Sequence, residues 1–205
     1  MLKKNCYYCK QAGDLFIKSS NKKNDNNFNF ASTEINTEES EIKPDLFFCK
    51  NCEIIFSEFC DVKFENNYID VLDHLYMDQI DNKKKYFKNI IKKVSNIINK
   101  NDDVMEIGSY YGAFGSEIIN HVNSYTGLEL STHASKYSKD KFNLNVVNES
   151  IYKYFENNEK KFDIIFMFDV LEHLDDPNAI LNLCSKNLKK DGRLICSTMN
   201  MDSIF

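Results

Sequence analysis

Residues 102–117 read DDVMEIGSYYGAFGSE and hold three of the chain's six glycines, Gly108, Gly112 and Gly115. A short apolar run, Val104 to Ile107, leads into them. Ala113 to Val122 follows, with Phe114, Ile118 and Val122 spaced for one face of a helix. Strand, glycine turn and helix in that order form a cradle. Bare backbone can approach a ligand there, and the first N–H groups of the helix are free to meet it. On the glycines alone, a tight turn needed only for packing stands beside that reading.

Outward from the turn the chain alternates. YTGLEL (125–130) reads as a second strand, Ser131 as the cap of a helix to about Phe142, and LNVVN (144–148) as a third strand. An amphipathic segment over 151–155 precedes FDIIFMF (162–168), apolar throughout, as a strand covered on both faces should be. Asp176 and Pro177 read as N-cap and first residue of a helix reaching Leu188, and KKDG turns into a last strand, RLICST (193–198). Upstream, Ile80, Phe87, Ile90, Ile91, Val94, Ile97 and Ile98 predict one amphipathic helix over 79–99. The fold class is therefore α/β, a Rossmann-like parallel sheet with right-handed crossovers.

Two carboxylates frame the turn. Glu129 ends the second strand, where a carboxylate can accept both hydroxyls of an adenosine ribose. Glu106 stands two residues before Gly108, where it would repel a pyrophosphate and attract a ligand carrying an ammonium and a sulfonium. That disfavours a dinucleotide oxidoreductase and points to S-adenosylmethionine. The chain has 205 residues, 42% of them hydrophobic, and a net charge of −5, with Arg193 its one arginine. The acidic balance argues against a nucleic-acid partner. No apolar run approaches the roughly 18 residues of a membrane helix, and MLKKNCYYCK carries no signal core. The expectation is a cytoplasmic protein with no membrane partner.

At this point a resemblance becomes specific. VMEIGSYYGAFG, GLELSTHASKYSKDKFNLNVVNES, FDIIFMFDVLEHLDDP and LKKDGRLICSTMN resemble, in order and spacing, the motifs of class I S-adenosylmethionine-dependent methyltransferases. The resemblance implies that Glu106, Gly108, Ser109 and Gly112 hold the methionine end. It implies Glu129 at the ribose, Leu130 beside the adenine, Asn148 and Glu149 near the adenine edge, and Phe168 and Asp169 at the mouth of the fourth strand. The family usually has a glycine where this chain has Tyr110. The expectation is a slightly altered loop path with Tyr110 turned outward. An oxygen or carbon acceptor must lose a proton; His173 and Asp169 are the candidates for that catalysis, while a structural role for His173 stays open. Tyr68, His74 and Tyr76 are possible acceptor-side residues, core packing being the alternative.

Cys6-x-x-Cys9 and Cys49-x-x-Cys52 are two knuckle-like pairs whose thiolates suit tetrahedral, structural zinc. Two reducible disulfides or unrelated buried thiols are the alternatives. The polar stretch 18–41 reads as a long loop between the pairs, and Cys184 and Cys196 as core residues. The organisation expected is a zinc-ribbon module over 1–60, a helical connector over 61–101, and a donor-binding domain over 102–205, incomplete after its fifth strand. A ribbon ahead of this domain resembles a bacterial group that includes sugar C-methyltransferases. It implies a small-molecule acceptor, possibly a nucleotide sugar. A dimer or a second chain would then complete the sheet. The competing function is a non-catalytic interaction module with a degenerate cofactor domain.

Overall fold

The computed structural model describes residues 2–18, 45–57, 68–174 and 176–198. The expected loop over 18–41 lies almost wholly outside these residues, as do Cys60 and the last seven positions. The chain divides into two compact units, Met1–Lys63 and Phe64–Phe205.

The first unit is an antiparallel meander of β1 (Lys3–Asn5), β2 (Ala12–Ile17), β3 (Leu46–Cys49) and β4 (Ile54–Ser57), paired in chain order. Cys6, Phe47, Cys49 and Phe56 are its buried centre, with Phe47 stacked on Phe56 at 5.8 Å and Tyr7 edge-on to Phe56 at 5.4 Å. So small an apolar cluster is a weak core by itself, and half of its four buried residues are cysteines.

The second unit begins with α1 (His74–Asp78) and α2 (Ile80–Lys93). It continues through β5 (Asp103–Ile107), α3 (Ala113–Ile118), β6 (Ser124–Leu128), α4 (Thr132–Phe142), β7 (Val146–Val147), α5 (Ile151–Asn157), β8 (Phe162–Phe168), α6 (Pro177–Asn187) and β9 (Leu188–Ser197). The sheet is parallel, in the order β7-β6-β5-β8-β9. Successive strand residues point to opposite faces. Val104, Ile164 and Phe166 accordingly join one buried cluster with Phe114 and Ile118, while Met105, Ile165 and Met167 join another with Ile151 and Ile180. Both faces are covered, which is why β5 and β8, beyond Asp103 and Asp163 at their amino ends, are apolar apart from Glu106.

The helix expected over 79–99 stops at Lys93, with Val94 as its C-cap and turns beyond, although Ile98 still packs on the core. The third strand shrinks to Val146–Val147. The KKDG segment is not a free turn: β9 already pairs at Leu188 and slips register between Phe162 and Ile164, with Asp191 left-handed at φ 66°. Cys184 is buried as expected. Cys196 is exposed instead of core, because it stands on β9 at the sheet edge. At the amino ends of the strands, Lys189 Nζ joins Asp103 and Asp163 at 2.8 and 2.7 Å, and the Asp103 N–H donates to Asp163 at 2.7 Å.

Strands after β5 are added first on one side, β6 and β7, and then on the other, β8 and β9. The reversal falls between β5 and β8, and open parallel sheets take ligands at the carboxyl ends of the strands where such a reversal occurs.

Candidate functional site

The turn after β5 is built on backbone that side chains rarely adopt. Gly108 and Gly112 lie at φ 72° and 76°. A Cβ on Gly108 would come within 2.5 Å of Val170 Cγ2, so the close approach of the β8 loop demands glycine there. The N–H groups of Gly108 and Ser109 both donate to the Leu128 carbonyl, which pins the turn to β6.

Glu106 and Glu129 end adjacent strands and are 3% and 6% exposed. Burial pushes the Glu106 carboxyl well above the usual range. The Tyr125 hydroxyl, which donates to it, acts the other way, and the Glu129 charge adds to the rise. Burial likewise raises Glu129, opposed by backbone donors. Its Oε1 accepts from the Ser131 N–H at 2.7 Å and its Oε2 from the Tyr110 N–H at 2.6 Å. Ser109 is buried with its hydroxyl against Tyr125.

Tyr110 is not turned outward. It keeps the left-handed backbone, φ 45°, at a cost of roughly 1–2 kcal/mol. Its ring packs edge-on to Tyr76 and Tyr111, both at 4.7 Å, and its hydroxyl donates to Asp73 at 2.9 Å. The tyrosine substitutes side-chain anchoring for glycine's conformational freedom. Burial raises the Tyr76 phenol strongly, and the charges of Glu106, Asp73, Asp169 and Glu129 push it further.

The remaining expected residues divide. Leu130 is half-buried, and the Asn148 amide donates to the carbonyls of Glu129 and Leu130 at 2.8 Å each; Asn148 thus orients the β6 end. Glu149 forms an ion pair with Lys153 at 3.1 Å. Phe168 is walled in by Phe87, Phe114 and Phe166 at 5.2, 4.8 and 5.6 Å. Asp169 is left-handed at φ 52° and accepts from Ser197 Oγ at 3.0 Å. His173 is exposed on a short 3-10 turn, edge-on to Tyr68 at 5.8 Å. Asp169 and His173 thus have different neighbours. Asp73 and Tyr125 were not among the sequence candidates. Asp73 carried one readable signal, its N-cap position ahead of HLYMD. An open cavity of about 400 Å³ between Leu72, Met77, Tyr111, His133 and Tyr137 contains neither buried glutamate.

In the first unit, the sulfurs of Cys6, Cys9, Cys49 and Cys52 all lie within 4.8 Å of one another. The two knuckles are built alike. The Lys10 N–H donates to the Cys6 carbonyl at 2.8 Å and the Glu53 N–H to the Cys49 carbonyl at 2.7 Å, with Lys10 and Glu53 both left-handed. A backbone bond from Gln11 lowers the Cys9 thiol to about 6, while its hydrogen bond with Cys9 pushes Cys52 up to about 12. Cys9 gives up its proton readily while Cys6 and Cys52 are held back, a conflict that a divalent cation resolves.

A family model described as a methyltransferase domain matches residues 79–204. The ubiquinone biosynthesis O-methyltransferase of Glaesserella parasuis serovar 5 is 28% identical over 106 residues, 47% of this chain and 45% of that protein. Its counterpart in Coxiella burnetii is 26% identical, over 49% of this chain and 45% of that one. The match therefore spans less than half the length of these curated relatives. Among solved structures, a S-adenosylmethionine-bound amino pentose methyltransferase from Micromonospora echinaspora has a TM-score of 0.52 at 13% identity, covering 60% of this chain and 53% of that one. A S-adenosylmethionine-dependent methyltransferase from Clostridium acetobutylicum has a TM-score of 0.50 at 20% identity, covering 60% and 54%. At these identities the two structures speak for the fold. The sheet order, the glycine turn and a family match over more than half of its length agree: the chain belongs to the methyltransferase domain family.

Proposed function

We propose that this chain binds S-adenosylmethionine at the β5–β8 crevice and transfers its methyl group to a small molecule. The observation that carries the reading is the pair of buried carboxylates, Glu106 and Glu129, on either side of a left-handed glycine turn. A carboxylate offers about four lone-pair sites. Backbone donors use one on each Glu129 oxygen, which leaves two for the paired hydroxyls of a ribose. Glu106 accepts one hydroxyl and retains capacity for an ammonium. Gly108 and Gly112 let backbone reach the ligand.

When bound, the donor supplies a methyl already activated on sulfur. The chain's own work is to align and desolvate the reactants. His173, exposed on the turn that follows β8, is the candidate to take a proton from an oxygen acceptor, with Tyr68 edge-on to its ring. A nucleotide-linked sugar is the first acceptor candidate, on the four-cysteine unit joined to this domain. Because the curated relatives are named ubiquinone biosynthesis O-methyltransferases, a hydroxyl-bearing acceptor is the second candidate. We also assign Cys6, Cys9, Cys49 and Cys52 to a structural zinc ion. Four sulfurs leave no open position for catalysis.

Calorimetry with S-adenosylmethionine and S-adenosylhomocysteine tests the donor reading. The expected result is micromolar binding that Glu129→Ala weakens at least tenfold. Absence of heat with either compound overturns it. Transfer of labelled methyl to nucleotide sugars against phenols then separates the acceptors.

A further inference from the structure

Residues 68–78 run alongside the glycine turn and are stitched to it and to the start of α4. The Ile69 carbonyl accepts from the Thr132 N–H and the Val71 carbonyl from Ser131 Oγ, both at 2.9 Å. Asp73 makes three bonds at the centre of this segment. Its N–H donates to the Tyr111 hydroxyl at 2.8 Å, its Oδ1 caps α1 through the Tyr76 N–H at 2.9 Å, and its Oδ2 accepts the Tyr110 hydroxyl at 2.9 Å. Tyr76 closes the cluster, edge-on to Tyr110 and stacked on Tyr111 at 5.6 Å. Tyr110 is in turn held at its own backbone, N–H on Glu129 and carbonyl on Ser138 Oγ at 3.0 Å.

We propose that Asp73 is a positioning residue: by gripping the Tyr110 hydroxyl it straps residues 68–78 onto the glycine turn and keeps the Tyr110 N–H on Glu129, so that strap closure and donor binding reinforce each other. The inference rests on the donor reading above. A left-handed tyrosine relaxes toward ordinary backbone once its side-chain anchor is lost. That rotation carries its N–H away from Glu129 and leaves the carboxylate less fixed for a ribose. Asp73 therefore touches no ligand and acts through Tyr110. The grip connects residues 37 positions apart in sequence and adds to the Tyr111 contacts of Asp73 and Tyr76, so it strengthens the coupling of the two segments.

Two substitutions isolate the grip. Tyr110→Phe removes the hydroxyl and leaves the ring. Asp73→Ser retains a good helix cap and is too short to reach Tyr110 as well. Deuterium uptake over 68–78 and 108–112 is measured with and without S-adenosylhomocysteine, beside calorimetry. Each single variant is expected to weaken the analogue 5- to 20-fold, and the double variant to be no worse than either single one. In the wild type the analogue protects both segments, whereas in Tyr110→Phe it protects 108–112 and no longer 68–78. A purely packing role for Tyr110 would not uncouple the two. Unchanged affinity and unchanged strap protection in Tyr110→Phe overturn the positioning role and leave the donor reading standing. A wild type that binds no analogue overturns both. Should Asp73→Ser fail to fold, Tyr110→Phe alone decides.

Discussion

Glu106→Gln is expected to make the protein more stable as pH rises. Glu106 is 3% exposed, and burial holds its carboxyl pKa well above the usual value. The sign follows from proton binding. Above about pH 4.3 the unfolded chain has released this proton, while the folded chain still holds it. The wild type therefore has the group's full stability below that value and loses it as pH rises through the raised folded pKa. For one proton the slope is at most about 1.4 kcal/mol per pH unit. Glutamine keeps an oxygen for the Tyr125 hydroxyl and does not titrate. The difference in unfolding free energy, variant minus wild type, should open from about pH 4.3 at up to that slope and flatten above the folded pKa. Other titrating groups largely cancel in the difference. Urea unfolding followed by helical circular dichroism is the assay, since every described helix lies between residues 74 and 187. A flat difference across pH 4 to 8, or one that moves in favour of the wild type, would refute the claim that this carboxylate is buried without full compensation.

Gly108→Ala should destabilise by roughly 2–5 kcal/mol, combining a left-handed Cβ at φ 72° with overpacking on Val170; thermal unfolding measures it. Cys49→Ser should abolish bound zinc, measured by metal analysis of the purified protein, and disorder the first unit while leaving the helical dichroism of the second. Lys189→Met should cost under about 1 kcal/mol at neutral pH, because the pair with Asp103 is partly exposed. Hydrogen bonding with Lys189 holds Asp103 below the usual carboxylate range, so its contribution is present above about pH 3.9 and disappears as pH falls through the depressed value. Acid unfolding should show the two proteins converging at low pH.

What could be read from the residues, and what could not, follows from the range of the interactions. Strands β5 and β8 were legible because apolar runs covered on both faces leave their mark residue by residue. Glu106, Glu129 and the glycines were legible because their chemistry is local to one turn. Asp73 was not, since its meaning depends on a contact with Tyr110 that no local pattern encodes. Tyr110 itself was misjudged. Its steric cost was visible, but the hydroxyl anchor that offsets it comes from a distant segment. The knuckles show the same limit: cysteine spacing announced the cluster, while the left-handed Lys10 and Glu53 that shape it carry no compositional signal. Cys196 looked apolar in context, and only the strand order reveals that it stands at an edge.

The charges of Glu106, Asp73, Asp169 and Glu129 that act on Tyr76 bear on which ligand the crevice prefers. Two of these carboxylates are nearly buried, where charges are less screened than at the surface. A pyrophosphate placed among them would meet like charge with no arginine nearby to neutralise it, the chain's one arginine being Arg193 on β9. An ammonium and a sulfonium in the same space would offset the burial that chiefly raises Glu106 and the lesser repulsion from Glu129. The phenol of Tyr76 is held neutral by the same field and stays a hydroxyl donor at physiological pH. On the donor reading proposed above, the crevice would therefore favour a cationic ligand by charge before any shape is considered.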